Sequence, residues 1–342
     1  MRTKVLIFMK PVATLYVLLV LGGGQLFGQK NGEGEAYRIV FYNLENYFDC
    51  FPDSLLSYNE FTAAGDYHWT MKKYEAKTRQ LYKVFQNIAG WDGICLAGIC
   101  EIENENVLKH LLYASPLKAK NYNYVHFDSP DKRGIDVALI YSSKFMPIHA
   151  QPFYLVEDSI KIRTRNILYV KGIIASDTVH IFVNHWTSRY RGVAESAPLR
   201  MMFSSLLKSK TDSILSGDPS ASIIIMGDFN DQPSDRSLRN LCAGSRLHNL
   251  SSASRYDNSD GTVKFKEDWF TFDQMLVSEE LMTDNGGLKI AKSGLKVFDA
   301  DWLMEVDEKY LGKKPFRTNI GFSYHGGFSD HLPVYLDIIK TN

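Results

Sequence analysis

Ile223-Ile224-Ile225-Met226-Gly227-Asp228-Phe229-Asn230 is a short apolar run that ends on two polar residues flanking an aromatic ring. An apolar run of this length, stopped by Gly and Asp, reads as a buried strand feeding a loop. If strand alternation persists past Gly227, Asp228 and Asn230 point the same way. A carboxylate able to activate water then stands beside an amide able to orient it. The same residues also suit an Asx turn, in which Asp and Asn bond their own backbone.

The rest of the chain supplies company for this strand. Arg38–Asn43, Gly93–Glu101, Ile135–Tyr141, Ile162–Ile174, Val179–Trp186, Trp269–Val277 and Leu332–Ile338 are further β-branched or aromatic runs. Tyr74, Leu81, Phe85 and Ile88 recur near a 3.6 period and predict a helix over 70–89. Leu199, Phe203, Leu206, Leu207 and Ile214 predict a longer one over about 197–215. No linker-like stretch divides these elements, so residues 36–342 read as one α/β domain. Polar residues gather where the strands end: Asn43, Glu101, Asn184-His185, Asp228 to Asn230, Asp273 and Ser329-Asp330-His331. Strand ends that feed loops are where rigid scaffolds hold functional groups.

Composition narrows the class. The 342 residues are 45% hydrophobic and 23% charged, ordinary values for a globular protein with a sizeable core. Lys+Arg and Asp+Glu both number 39, giving a formal net charge of zero. That balance removes the electrostatic pointer a strongly basic nucleic-acid binder would show. At the N-terminus, Arg2, Lys4 and Lys10 lead into the apolar run Val12–Leu21, then Gly22-Gly23-Gly24 and Gly28. The run is shorter than the ~20 residues that span a bilayer. Residues 1–28 therefore read as an export signal cleaved after Gly24 or Gly28, with no transmembrane segment in the mature chain and a periplasmic or extracellular destination. Cys50, Cys95, Cys100 and Cys242 show no CxxC or Cys/His spacing for zinc. An oxidising compartment permits bridges among them, but a core this large needs none.

A second motif, Gly326-Gly327-Phe328-Ser329-Asp330-His331-Leu332-Pro333-Val334, places a carboxylate and an imidazole side by side before an apolar strand. Joined to Asn43 in Phe-Tyr-Asn-Leu-Glu-Asn, Glu101 in Ile-Cys-Glu-Ile-Glu-Asn, His185 in Val-Asn-His-Trp, Gly-Asp-Phe-Asn and Asp273 in Thr-Phe-Asp-Gln-Met-Leu-Val-Ser, it resembles the endonuclease/exonuclease/phosphatase (DNase-I-like) superfamily. The motifs match in order from Asn43 to Val334.

The resemblance implies a four-layer α-β-β-α sandwich of two packed mixed sheets, with a cleft at one sheet edge. It implies Mg²⁺ or Mn²⁺ held by Asn43, Glu101 and Asp330, an oxygen set suited to a hard cation. Asp228 would be the base, Asn230 would orient water or phosphate, and His185 and His331 would donate to the phosphate oxygens. Asp273 would hold the His331 ring. Arg165 resembles a family Arg near the scissile phosphate. Two features depart from the pattern: Cys100 stands where many relatives carry Gln, and the first motif adds Glu45 and Asn46 near the cleft. Glu45 is expected to support the site from behind, and Asp136, a carboxylate in an apolar strand, to face the cleft and orient His185.

The expected function is that of an exported phosphodiesterase, nuclease-like, with a phosphatase on inositol or sugar phosphates and a non-catalytic binding protein as alternatives. Arg189-Tyr190-Arg191, just after His185, pairs cations with an aromatic and could grip a nucleic-acid backbone. No stable protein partner is expected.

Overall fold

The computed structural model describes residues 35–52, 59–157, 160–253 and 260–341. The export-signal segment 1–28 lies outside the described residues. Among those described, no helix is long and apolar enough to cross a membrane, and all four cysteines are free thiols.

Two mixed sheets carry the fold. The first runs in the order Leu288–Ile290, Val334–Lys340, Ala36–Tyr47, Ile94–Ile102, Asp136–Tyr141, Asn123–His126. Its central strand Ala36–Tyr47 is parallel to Ile94–Ile102 and antiparallel to Val334–Lys340. The second sheet runs Leu247–Asn249, Asp273–Ser278, Ser222–Asp228, Asp177–His185, Ile167–Ile174, Phe145–Phe153. Here Ser222–Asp228 is parallel to Asp177–His185 and antiparallel to Asp273–Ser278.

The Ile223–Met226 run shows why the sheets must be layered. Ile224 and Met226 belong to the core shared with the first sheet, together with Ile181, Val183, Met275 and Val277. Ile223 and Ile225 face the other way and pack with Phe203, Leu207, Leu238 and Leu241. Those four lie on the helices Val193–Gly217 and Arg236–Cys242. A strand apolar at every position is thus covered on both faces, by a sheet on one and helices on the other. The first sheet is covered by the helix Met71–Ile88, whose Leu81, Val84, Phe85 and Ile88 join the main core. The result is the four-layer α/β sandwich expected from the motifs.

Several elements differ from the sequence reading. Phe145–Phe153 forms a strand although it contains Pro147 and Pro152; it sits at the edge of its sheet, where a missing N–H costs no ladder bond. The run Trp269–Val277 is divided into Asp268–Phe270 and Asp273–Ser278. Regular pairing with the second sheet begins at Ile167 rather than Ile162. The long helix starts at Val193, upstream of Pro198.

The sheets meet closely at one glycine. A Cβ on Gly98 would stand 2.5 Å from Met226 Sδ and 3.2 Å from Val183 Cγ1. Gly98→Ala is expected to overpack the inter-sheet layer and lower unfolding free energy by about 1–3 kcal/mol, read as the midpoint of urea denaturation. An unchanged midpoint would show that Met226 swings aside at no cost.

Candidate active site

Strand register assembles one half of the site. Asp228, the last residue of its strand, pairs with His185 on one side and Asp273 on the other. These three buried polar residues therefore stand at one level of the second sheet. His331 approaches from the loop before Val334–Lys340 and makes an isolated bridge to Val263. Thr262 ties this corner together: its carbonyl accepts from Leu332 N at 2.8 Å, and its hydroxyl accepts from Asp273 N at 3.2 Å. His331 Nδ1 is then 2.8 Å from Asp273 Oδ2.

Asp228 is the focus. Its Oδ1 accepts from Asn230 N at 2.9 Å, so the Asx turn does form. Its Oδ2 accepts from Asn43 Nδ2 at 3.1 Å and lies 3.7 Å from His185 Nε2 and 3.8 Å from His331 Nε2. The two readings of Asp228 are therefore compatible: one oxygen shapes the loop while the other faces the imidazoles. Asn230 donates its side-chain amide to Trp186 O at 3.1 Å.

The first sheet contributes through an irregularity. Asn43 pairs with Cys100, but the next paired residue is Tyr47 with Ile102, and Glu101 is also skipped opposite Asp136–Val137. This bulge pushes Glu101 out of both ladders. Glu45, Asn46 and Glu101 have φ of 49°, 49° and 60°, and Asn230 has 51°. A left-handed backbone at a glutamate is uncommon and is held here by specific bonds. Asn43 Oδ1 accepts from Glu45 N at 2.9 Å, and Glu101 Oε2 accepts from Asn46 N at 2.9 Å. Glu101 Oε1 stands 3.8 Å from His185 Nε2. Ser329 closes the gap between the halves, donating its hydroxyl to Asn43 O at 2.8 Å.

Burial and neighbours set the charges. Burial pushes the Asp228 carboxyl up to about 7, with His331 pulling it down and Asp273 pushing it further up. Burial also holds His185 well below the usual imidazole range, reinforced by Arg165 and Arg133. Burial would lower His331 too, but Asp273 and Asp228 outweigh it and hold that ring well above the ordinary value. A neutral and a cationic imidazole thus face the same carboxylate. Burial pushes the Asp330 carboxyl up, but Arg317, 2.9 Å away, together with His331 and Lys77 holds it below the usual carboxylate range.

The structure brings most of the expected residues together. Asn43, Glu101, His185, Asp228, Asn230, Asp273 and His331 form one connected constellation, and Asp330 adjoins it with Oδ1 4.0 Å from His331 Nε2. Glu45 lies behind Asp330: it is buried, accepts from Thr318 N and from Asn319 N at 3.2 Å, and stands 3.5 Å from Arg317 Nε. Burial and the Asp330 charge raise its carboxyl to about 7. Arg165 is buried, 3.5 Å from Asp131, with its charge felt at His185.

Two expected residues are placed elsewhere. Arg189 is taken up by the loop that follows Asp228. It donates to Asn230 O and to Asp231, both at 2.6 Å, and pairs with Asp235. Asp231 also receives Arg200 at 2.7 Å, so Arg189 braces the loop that follows Asp228. Asp136 meets His126 Nε2 at 2.8 Å and Ser129 N at 2.9 Å rather than His185. His185 Nδ1 is buried with no hydrogen-bond partner among the described residues.

Three contributors escaped the sequence reading. Arg317 and Arg133 sit in loops and carry no periodic signal. Lys77 did carry one: it falls on the buried stripe between Tyr74 and Leu81, where a lysine needs partners. It is fully buried and donates to Thr318 Oγ1 and Phe328 O.

The donor chemistry fits a hard divalent cation. Glu101 and Asp330 present partly exposed carboxylates, Asn43 an amide oxygen, and Mg²⁺ is commonly bound through one or two carboxylates plus waters. A separate grouping of metal-capable side chains among the described residues is His126, Asp128 and Asp136, whose ligand atoms all lie within 4.8 Å of one another. There a hydrogen bond already joins the half-buried His126 to the buried Asp136.

Comparisons with known proteins agree with this geometry. The sequence model of the Endonuclease/Exonuclease/phosphatase family matches residues 38–340. No curated protein matches significantly. Among solved structures, an endonuclease/exonuclease/phosphatase family protein from Bacteroides thetaiotaomicron is 17% identical, with a TM-score of 0.58 over 90% of this chain and 99% of its own. A mannosyl-6-phosphatase from the same organism is 17% identical, with a TM-score of 0.58 over 88% and 99%. The human Nocturnin catalytic domain, solved with a bound sulfate anion, is 15% identical, with a TM-score of 0.55 over 90% and 96%. At these identities the likeness shows the fold.

Two outcomes follow from the charges. Asp273→Asn and His331→Ala should each cost roughly 10²–10³ in kcat, and the double variant little more, because the pair acts as one unit. Additive losses would show that the two side chains act separately. A carboxyl raised above its unfolded value near ~3.9 contributes stability that is present below that pH and lost as pH rises through its folded value; for Asp228 the loss runs up to about 7. Asp228→Asn should therefore stabilise the metal-free protein at about pH 8 by roughly 1–3 kcal/mol and scarcely at about pH 4. Urea denaturation at both pH values reads this, and equal shifts would contradict it.

Proposed function

Because the chain belongs to the endonuclease/exonuclease/phosphatase family, whose members hydrolyse phosphate esters with a divalent metal, we propose that it is an exported Mg²⁺- or Mn²⁺-dependent hydrolase of small phosphate esters. The observation that carries the chemistry is the convergence on Asp228 Oδ2 of Asn43, His185 and His331.

Asp228 takes the proton of the attacking water, a task matched to a carboxyl that titrates at about 7. Asn43, donating to the same oxygen, fixes the direction in which that carboxylate points. His331, held cationic by Asp273, donates from Nε2 to a phosphate oxygen as charge develops there. His185, held neutral, donates or accepts without adding charge. Asn230 is held by Trp186 O and steadies the loop that presents Asp228. Asn43, Glu101 and Asp330 are the residues that would hold the metal, which when bound supplies Lewis-acid polarisation of the phosphate oxygens.

Two observations support a small ester over a nucleic acid. Arg189, the cation on which backbone binding was expected to depend, is committed to Asp231 and Asp235. The similarity to a mannosyl-6-phosphatase is in keeping with a small phosphate ester.

Chelation should abolish turnover and Mg²⁺ or Mn²⁺ should restore it, while Glu101→Ala weakens metal binding measured by calorimetry without unfolding the protein. Full activity in excess chelator would defeat the metal assignment. A panel of sugar phosphates, diesters, DNA and RNA decides the substrate: rapid cleavage of DNA or RNA with none of the small esters would restore the nuclease. Export predicts a mature N-terminus after Gly24 or Gly28, read by N-terminal sequencing of protein recovered from outside the cytoplasm; an intact Met1 would refute it.

A further inference from the structure

Two of the three expected metal ligands are fixed by backbone amides: Asn43 Oδ1 by Glu45 N, and Glu101 Oε2 by Asn46 N. Asp330 is fixed by a side chain, since Arg317 Nη2 donates to its Oδ2 at 2.9 Å. We propose that Arg317 is the positioning residue of the metal site. By holding one Asp330 oxygen it turns the other toward the cleft, and it thereby sets the affinity for a divalent cation. The proposal rests on the reading of Asp330 as a metal ligand.

Backbone pairing brings the two residues together. Phe328 N donates to Phe316 O at 2.6 Å, Gly327 N to Arg317 O at 3.1 Å, and His325 N to Thr318 O at 2.8 Å. This approach requires a glycine: a Cβ on Gly327 would stand 2.1 Å from Phe316 O and 2.5 Å from Arg317 O, so any side chain there would part the segments. The second segment runs straight into Ser329 and Asp330. Ser329 Oγ donates to Asn43 O at 2.8 Å and accepts from His331 N at 3.1 Å. The backbone on both sides of Asp330 is thus tied down, and Arg317 sets the direction of the carboxylate it carries.

Arg317 is itself anchored. Glu45 Oε2 accepts from Thr318 N, and Glu45 Oε1 accepts from Asn319 N at 3.2 Å and stands 3.5 Å from Arg317 Nε. One buried carboxylate therefore holds both the backbone that follows Arg317 and the arm of its side chain. Lys77 closes the far side by donating to Thr318 Oγ1 and Phe328 O, one group from each paired segment. A side chain locked in this way is what holds a ligand to a productive geometry. Asp330 Oδ2 is committed to Arg317, while Oδ1 lies 4.0 Å from His331 Nε2 on the catalytic side. Asp228 divides its oxygens in the same manner, one for the scaffold and one for the chemistry.

A cation beside a metal ligand acts in two opposite ways: its charge repels an incoming metal, and its hydrogen bond preorganises the ligand. The charged groups around Asp330 include the cations Arg317, His331 and Lys77 and the carboxylate of Glu45. Removing Arg317 leaves the other two cations in place. Its own charge is offset by Glu45 and screened by water, because its side chain is 41% exposed. The orienting bond weighs more, since partners that hold a metal ligand from outside typically set affinity by roughly 10- to 100-fold.

The test titrates Mn²⁺ into wild type, Arg317→Met and Arg317→Lys without substrate. Free Mn²⁺ is read by electron paramagnetic resonance, and thermal melts show that each protein is folded. Arg317→Met should weaken Mn²⁺ binding by roughly 10- to 100-fold. Arg317→Lys keeps the charge but loses the planar fork, and should fall between wild type and Arg317→Met. A role confined to stability would lower the melting temperature and leave the Mn²⁺ affinity of the folded protein unchanged. If wild type binds Mn²⁺ and Arg317→Met binds it equally or more tightly, the positioning role is overturned and the metal reading stands. If Arg317→Met does not fold, Arg317→Lys decides, and wild-type affinity in that variant overturns the proposal. If wild type itself binds no Mn²⁺, the metal reading fails and takes the proposal with it.

Discussion

Everything at this site depends on the register of the strand Ser222–Asp228 between its two neighbours. Pairing sets Asp228 opposite both His185 and Asp273, and Asp273 in turn holds His331. Side chains alternate along a strand, so a slip of one residue would turn Asp228 from the cleft and replace it with an apolar neighbour. The slip is opposed by the core. Ile224 and Met226 fill the layer between the sheets while Ile223 and Ile225 fill the layer under the helices. The same isoleucines that make the run readable as buried strand therefore lock the carboxylate in place.

The opposite wall is built on departure from regular structure. Glu101 could not serve a site while paired in a flat ladder; the bulge that skips it on both sides aims it at His185. The cost appears as left-handed backbone at Glu45, Asn46 and Glu101, and two of the three have their own support: Asn43 Oδ1 for the amide of Glu45, Glu101 Oε2 for the amide of Asn46. Such strain persists only where surroundings over-determine it. Here they do, since the Glu45 carboxylate anchors the backbone of Thr318 and Asn319, and Lys77 holds Thr318 from the helix side.

This division explains what the sequence disclosed. Period-two and 3.6 patterns showed the central strands and both long helices, because burial on defined faces leaves a mark on residue type. Motif order then pointed to Asn43, Glu101, His185, Asp228, Asp273 and Asp330, which the fold gathers at one edge of the paired sheets. What stayed hidden depends on contacts distant in the chain or on irregular backbone. Phe145–Phe153 was obscured by its prolines, tolerable only because its position is an edge. Arg189 looked like a free cation because nothing local shows that Asp231 and Asp235 would claim it. Asp136 was rightly read as a carboxylate needing a partner, yet the partner is His126, ten residues upstream on the neighbouring strand.

The two imidazoles show how far neighbours decide chemistry. His185 and His331 face one carboxylate oxygen at nearly equal distances, 3.7 and 3.8 Å, and distance alone would give them the same role. Their surroundings separate them. His331 is ringed by Asp273, Asp228 and Asp330, which hold its proton against the penalty of burial. His185 is buried with Arg165 and Arg133 on its flank, and both oppose a second positive charge. A single proton added to this corner therefore goes to His331 or Asp228 before it goes to His185. The order matters for phosphate chemistry, because a cationic donor and a deprotonated base must coexist within 4 Å without neutralising one another. Burial raises Asp228 only to about 7, while Asp273 holds His331 above its ordinary value. That inequality keeps the base and the donor in opposite states at the same pH.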